Sequence, residues 1–153
     1  MMEISNFYYQ PEDFESFKNF ILKTEKEFNP PISDRVNIDE YINKLTNEAV
    51  IILTKNKNHE IIGTACFYCN PKDFEYAFLS YIATTLNNQG IGSLLVNDMI
   101  AYCKKLGAKG IETQTWENNN NSLKLFNKFN FEIVGKKSNR STETNSIILR
   151  LIF

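Results

Sequence analysis

From Phe74 to Phe153 the chain keeps switching between strand-like and helix-like hydrophobic rhythm, and that alternation limits its possible folds more than any other feature. FEYAFLSYIA is dense in aromatic and β-branched residues and reads as a strand covered on both faces. From Gly90 the apolar residues Ile91, Leu94, Leu95, Met99, Ile100 and Tyr102 recur at helical spacing until Gly107, a natural C-terminal stop. GIETQTW is the next strand. Asn118 or Asn119 then caps a helix through Ser122, Leu123, Leu125, Phe126 and Phe129, and the strands FEIVGKK and SIILRLIF follow. Strand, helix, strand, helix, strand demands crossover connections. The second half therefore predicts a sheet that is partly parallel.

The first half adds an antiparallel part. MEISNF alternates as a short strand, and Gln10-Pro11-Glu12-Asp13 offers a helix start with proline and acids in the first turn. Phe14, Phe17, Ile21, Leu22 and Phe28 extend that helix to the Pro30-Pro31 stop. Asn37 caps a second helix carrying Ile38, Tyr41, Ile42 and Leu45. Ala49–Leu53 and Ile61–Cys69 flank the polar turn KNKNHE as a hairpin. With 153 residues and no repeat or linker, the expectation is one α/β domain over residues 1–153, a single mixed sheet with helices around it.

Composition excludes several classes of function. An apolar content of 42% with 23% charged residues describes a chain with a real core, not a disordered one. The formal net charge of −1 gives no field to gather nucleic acid. The charge is divided, however, with 8 basic and 13 acidic residues up to Ser80 and 9 basic and 5 acidic after it. One histidine, His59, leaves nothing for a clustered imidazole metal site, so no metal is expected. Cys66, Cys69 and Cys103 are odd in number, and no apolar run reaches 18 residues. A cytoplasmic protein with reduced thiols and no membrane segment is the reading that fits. Cys66 and Cys69 lie on a strand, where residues three apart face opposite sides, so their C-x-x-C spacing reads as structural.

The turn from Ile82 to Ser93 joins a central strand to the longest helix. Gly90 and Gly92 open the backbone there to close approach, and the free amides of a helix's first turn favour a phosphate or pyrophosphate. Neither a Rossmann glycine set nor the Gly-Lys-Ser/Thr of a P-loop is present. The segment Asn87 to Gly92 resembles the central motif of the GNAT (GCN5-related) N-acetyltransferases: Gln or Arg, two free positions, Gly, one free position, Gly or Ala. Asn87 departs from it at the first position. Downstream, Asn119-x-x-Ser122-x-x-Leu125-Phe126-x-Lys128-x-Asn130-Phe131 is similar to the family's second motif, in the expected order.

The resemblance implies a GNAT-like fold with a splayed pair of central strands, and acetyl-coenzyme A as the cofactor. It places the pyrophosphate on the turn Asn87, Asn88, Gln89, Gly90, Ile91, Gly92 and Ser93, and the pantetheine arm between the strands near Ile82, Ala83 and Gln114. Asn119, Ser122, Phe126 and Lys128 complete the cofactor-binding set, and Lys124, Lys104 and Lys105 are further candidates for the phosphates. The family's usual proton donor to sulfur is a tyrosine where this chain has Phe126, and a phenyl ring has no proton to give. A neighbouring hydroxyl, Ser122 or Tyr81, or water takes that part, or the chain is a catalytically weak acyl-coenzyme A binding module. Candidates for the base are Tyr68, Asp73, Glu75, Tyr76 and Tyr81, with Glu75 favoured. The acceptor expected is a primary amine of a small molecule, such as a polyamine, amino sugar or amino acid, attracted by Glu27 and Asp34 on the overhanging segment 27–35. A homodimer is compatible with this reading; nucleic acid and membrane are not expected partners.

Overall fold

The computed structural model describes residues 3–85, 90–138 and 145–153. Seven strands form one sheet: β1 (Ile4–Tyr8), β2 (Val50–Asn56), β3 (Ile61–Tyr68), β4 (Tyr76–Thr84), β5 (Gly110–Trp116), β6 (Glu132–Lys137) and β7 (Ser146–Ile152). Their spatial order is β1-β2-β3-β4-β5-β7-β6, and only β4 and β5 pair in parallel. The helices are α1 (Phe14–Thr24), α2 (Ile38–Glu48), α3 (Ile91–Leu106) and α4 (Asn120–Lys128). This is the mixed single-layer α/β domain that the alternation predicts.

Local chemistry accounts for most boundaries. Asn37 accepts a hydrogen bond from the Glu40 amide and so starts α2. Gly107, at φ 93°, ends α3 in the left-handed conformation. Asn130, at φ 69°, ends the turn after α4 in the same region, which asparagine tolerates better than most residues with a Cβ. The first helix is shorter than its apolar spacing suggests. It stops at Thr24 and continues as a 3₁₀ turn over Glu25–Glu27, because Phe28 turns inward to stack on Tyr81.

The sheet divides two apolar layers. On one face α1 and α2 bury Phe17, Ile21, Ile42 and Leu45 against Ile51, Leu53, Cys66 and Tyr81. On the other, α3 and α4 bury Ile91, Leu95, Met99 and Phe126 against Ala65, Phe67, Leu79 and Ile111. Cys66 and Cys69 fall in different layers, as strand residues three apart must. All three cysteines are buried free thiols.

Two irregularities in β4 position everything that follows. Cys66 faces Tyr81 but Phe67 faces Leu79, which leaves Ser80 as an extra residue, a β-bulge. Leu79 and Tyr81 would share a face in a regular strand, yet the bulge sends them into opposite layers. The second irregularity is that β4 and β5 pair only from Tyr76/Gly110 to Leu79/Thr113. Beyond that pair the strands separate. The Thr113 hydroxyl donates to the Leu79 carbonyl at 3.0 Å and marks the point of separation. Contrary to the sequence reading, β4 is not covered throughout: Phe78 is 37% exposed, beside the opening. Among the described residues no helix is long and apolar enough to cross a membrane.

Candidate active site

The gap between β4 and β5 is the centre of a cleft of about 930 Å³. Its walls are Leu79–Thr84 and Thr113–Trp116, the two strand ends that no longer pair with each other. A strand edge without a partner offers every second N–H and C=O to whatever lies beside it. An extended amide-bearing chain fits that edge.

On the α3/α4 face the cleft is lined by Gly90, Ile91, Gly92, Ser93, Lys124, Leu125, Phe126 and Lys128. Gly90 stands at φ 78°, a conformation costly for any residue with a Cβ, and it caps α3. The first α3 hydrogen bond back along the chain is Leu94 N–H to the Gly90 carbonyl, so the amides of Ile91, Gly92 and Ser93 precede the helical ladder. The Lys128 ammonium donates to Ser93 Oγ at 3.0 Å, which sets a positive charge beside those amides. A Cβ on Gly92 would approach Leu125 Cδ2 to 3.1 Å, so the glycine lets α3 and α4 close on each other. Donors, dipole and ammonium together suit a diphosphate. Asn87, Asn88 and Gln89, also predicted for this turn, lie outside the described residues. Lys104 and Lys105 do not belong here; they occupy the last turn of α3, and Lys104 sits over the Phe153 ring.

Asn119 holds the middle of the cleft. Its Oδ1 accepts from the Ser122 amide and caps α4. Its Nδ2 donates to Thr115 Oγ1 at 2.7 Å and to Ser122 Oγ at 2.8 Å. Because both hydroxyl oxygens act as acceptors toward Asn119, both hydroxyl protons remain available to other partners. Ser122 thus brings a free hydroxyl proton to the lining of the cleft. Thr115 does too, and it was missed, because nothing in GIETQTW distinguishes it from an ordinary strand threonine. Phe126 lines the cleft yet is only 1% exposed, with its ring against Phe131.

On the α1/α2 face the lining is Thr24, Glu27, Phe28, Asn29, Pro30, Ile32, Arg35, Val36, Tyr41 and Tyr81. Phe28 stacks on Tyr81 with ring centroids 4.7 Å apart and leans on Trp116 at 5.6 Å. Tyr81 had been a candidate proton donor; its geometry says otherwise. Thr24 Oγ1 donates to the Phe20 carbonyl, so in its 2.6 Å contact with the Tyr81 hydroxyl the threonine is the acceptor. The phenolic proton therefore points at Thr24 and not at a ligand. Burial raises the Tyr81 pKa, and that of Tyr41 too, so both stay neutral phenols at any working pH. Tyr41, read from the sequence as helix core, bonds Ser80 Oγ at 2.8 Å and so braces the bulge from α2.

Glu75 does not join the site. It precedes β4 at the paired end of the strand, is largely exposed, and forms an ion pair with Lys109 at 3.1 Å. Tyr68 and Tyr76 line a separate groove of about 420 Å³ with Phe74, and Asp73 lies in the turn before it. Among the described residues that line the main cleft, Glu27 is the only carboxylate.

The chain is similar in structure to the GNAT-family acetyltransferase of Streptococcus pneumoniae, with 18% identity, a TM-score of 0.79 and 99% of each chain covered. The ribosomal-protein-S18-alanine N-acetyltransferase of Escherichia coli matches with 14% identity and a TM-score of 0.79, over 98% of this chain and 94% of the other. Arabidopsis thaliana NAA60, in a complex with acetyl-CoA, matches with 14% identity and a TM-score of 0.78, over 99% of both chains. At such identities the likeness is one of fold. No curated protein matches the sequence. The model of the Acetyltransferase (GNAT) family matches residues 12–131, which take in both faces of the cleft, and by that match the chain belongs to the GNAT acetyltransferase family.

Proposed function

We propose that this chain transfers the acetyl group of acetyl-coenzyme A to a primary amine of a small molecule, with both reactants bound at once. Family membership supplies the reaction class. The observation that carries the finer reading is the separation of β4 from β5 after Leu79/Thr113, which joins a diphosphate-suited helix terminus on one face to an aromatic pocket on the other. The residues present fit the cofactor. Gly90, Ile91, Gly92 and Ser93, with Lys124 and Lys128, would hold the pyrophosphate, and the free edge of β4 through Ile82 and Ala83 would hold the pantetheine amides. Asn119 would contact the same arm.

Acetyl-coenzyme A supplies a thioester: the amine nitrogen bonds to its carbonyl carbon, the C–S bond breaks with its electron pair going to sulfur, and one N–H proton ends on sulfur. The chain's own contribution is largely positional, since two held reactants avoid the entropy of encounter. Backbone N–H groups on the open β4 edge polarise a carbonyl placed there. Ser122 Oγ–H, freed for donation by Asn119, is the proton donor that replaces the missing phenol of Phe126, with Thr115 beside it. Tyr41 and Tyr81 remain protonated and cannot accept the amine's proton. Glu27 or solvent takes it, and solvent returns a proton to Ser122, so that the net movement is from nitrogen to sulfur.

A second reading, a weakly catalytic acyl-coenzyme A binding module, is favoured by one observation, the phenyl ring of Phe126 at the donor position. A thiol-release assay over a panel of amines, run beside Phe126→Tyr and with acetyl-coenzyme A calorimetry, separates the two. The expected result is binding together with amine-dependent thiol release by the wild-type chain. Binding with no release above hydrolysis for any amine would favour the module, and no binding would remove both readings.

A further inference from the structure

We infer that the acceptor is an amine that also carries a carboxylate, an amino acid in its zwitterionic form, and that Arg35 is the residue that selects it. This rests on the acetyl-transfer reading above and narrows it. The sequence alone pointed to an acidic pocket for cationic amines. The cleft is different: among the described residues on its α1/α2 face the side chains with full charges are Glu27 and Arg35, one of each sign. A polyamine brought there would meet as much repulsion as attraction.

Three observations place Arg35 at the acceptor. First, it lines the cleft, it is exposed, and no carboxylate pairs with it among the described residues. Second, its turn is anchored from below. Arg35 follows the 3₁₀ turn Ile32–Asp34, and the buried Glu25 carboxylate accepts from the Ser33 amide at 2.9 Å and from Ser33 Oγ at 3.0 Å. A carboxylate 2% exposed that gives both oxygens to one turn fixes where the next residues emerge. Third, it shares the α1/α2 face of the cleft with Tyr41, whose hydroxyl bonds Ser80 at the bulge of the open strand. An exposed guanidinium on that face is open to a ligand in the cleft.

A guanidinium recognises a carboxylate through two parallel N–H donors. Its neighbours in the cleft, Phe28, Ile32, Val36 and Trp116, supply apolar surface for a side chain. The preferred acceptor is thus an α-amino acid with an apolar or aromatic side chain. The group transfer is unchanged: an N–C bond forms, the C–S bond breaks, and the proton from nitrogen ends on sulfur. Arg35 takes no part in those steps.

The test compares L-leucine, L-phenylalanine and L-methionine with their carboxamides and with spermidine, in thiol release and in calorimetric titration of coenzyme A-saturated protein. Each amide keeps the amine and side chain, loses the negative charge and has a more acidic ammonium, so rates are compared per concentration of free amine. We expect kcat/KM about 10- to 100-fold higher for at least one amino acid than for its amide, with the same order in binding. Arg35→Gln should collapse that ratio toward one, and Arg35→Glu should invert it. The Kd for acetyl-coenzyme A should stay within twofold in both variants, which also reports that they fold. Amides or spermidine equal to or better than the amino acids would overturn the inference while leaving acetyl transfer intact. Weaker acetyl-coenzyme A binding in Arg35→Gln would overturn it differently, by assigning Arg35 to the cofactor. Failure of the wild type to bind acetyl-coenzyme A would remove the underlying reading and the inference with it.

Discussion

A single hydroxyl stands at the point where the sheet opens. Thr113 donates to the Leu79 carbonyl at the last paired position of β4 and β5, and it is only 3% exposed. Thr113→Val keeps the shape and removes the donor. The expected cost is about 1 kcal/mol of stability measured by urea unfolding, the net worth of one hydrogen bond, with a several-fold rise in KM for acetyl-coenzyme A as the gap loses its boundary. An unchanged KM would mean that the bulge at Ser80 alone sets the opening. The residue scale is also where the sequence was least readable. Glu75 is favoured in the sequence as an acid among the strands expected around the amine pocket, yet the open end of β4 is the other end. Tyr81 was chosen for its hydroxyl, and the direction of that proton depends on Thr24, 57 positions away in the chain. Arg35 and Tyr41 had no motif to mark them.

At the scale of elements the sequence did much better, because caps and stops are local. Asn37 and Asn119 begin α2 and α4, Gly107 ends α3, and GIETQTW is β5 in full. The elements misjudged were those shaped by distant contacts: α1, cut short where Phe28 meets Tyr81, and β4, bulged where Tyr41 braces Ser80. The α4 cap allows structure and chemistry to be separated. Asn119→Ala loses the cap and is expected to cost about 1 kcal/mol. Asn119→Asp keeps an oxygen for the Ser122 amide and adds a negative charge at a helix N-terminus, so its stability should match the wild type within about 0.5 kcal/mol. Aspartate has no N–H for Ser122 and Thr115, whose hydroxyl protons would turn back toward it. A fall in kcat with unchanged stability is the expected signature; equal kcat would show that neither hydroxyl supplies the proton.

For the whole molecule, burial of weak acids sets a limit at high pH. Burial pushes the Cys66 thiol up to about 12, and raises Tyr41, Tyr81 and Cys103 as well. Unfolded, these groups lose protons from their ordinary values of 9.0 and 10.0, while the folded chain keeps them. The unfolded state therefore binds fewer protons above about pH 9, and stability falls as pH rises from there. Each group contributes up to about 1.4 kcal/mol per pH unit inside its window. Urea midpoints at pH 8, 9, 10 and 10.5 should be level at first and then drop with growing slope; a flat profile would mean that these groups are solvated. The cleft has a kinetic consequence of its own. Since it passes through the sheet, with the diphosphate-suited terminus on the α3/α4 face and Arg35 on the α1/α2 face, it is a passage with two mouths. Under the proposed transfer each reactant would have a separate entrance, and spent thiol and acetylated product would leave in opposite directions. The barrier between those entrances is the width of one polypeptide sheet.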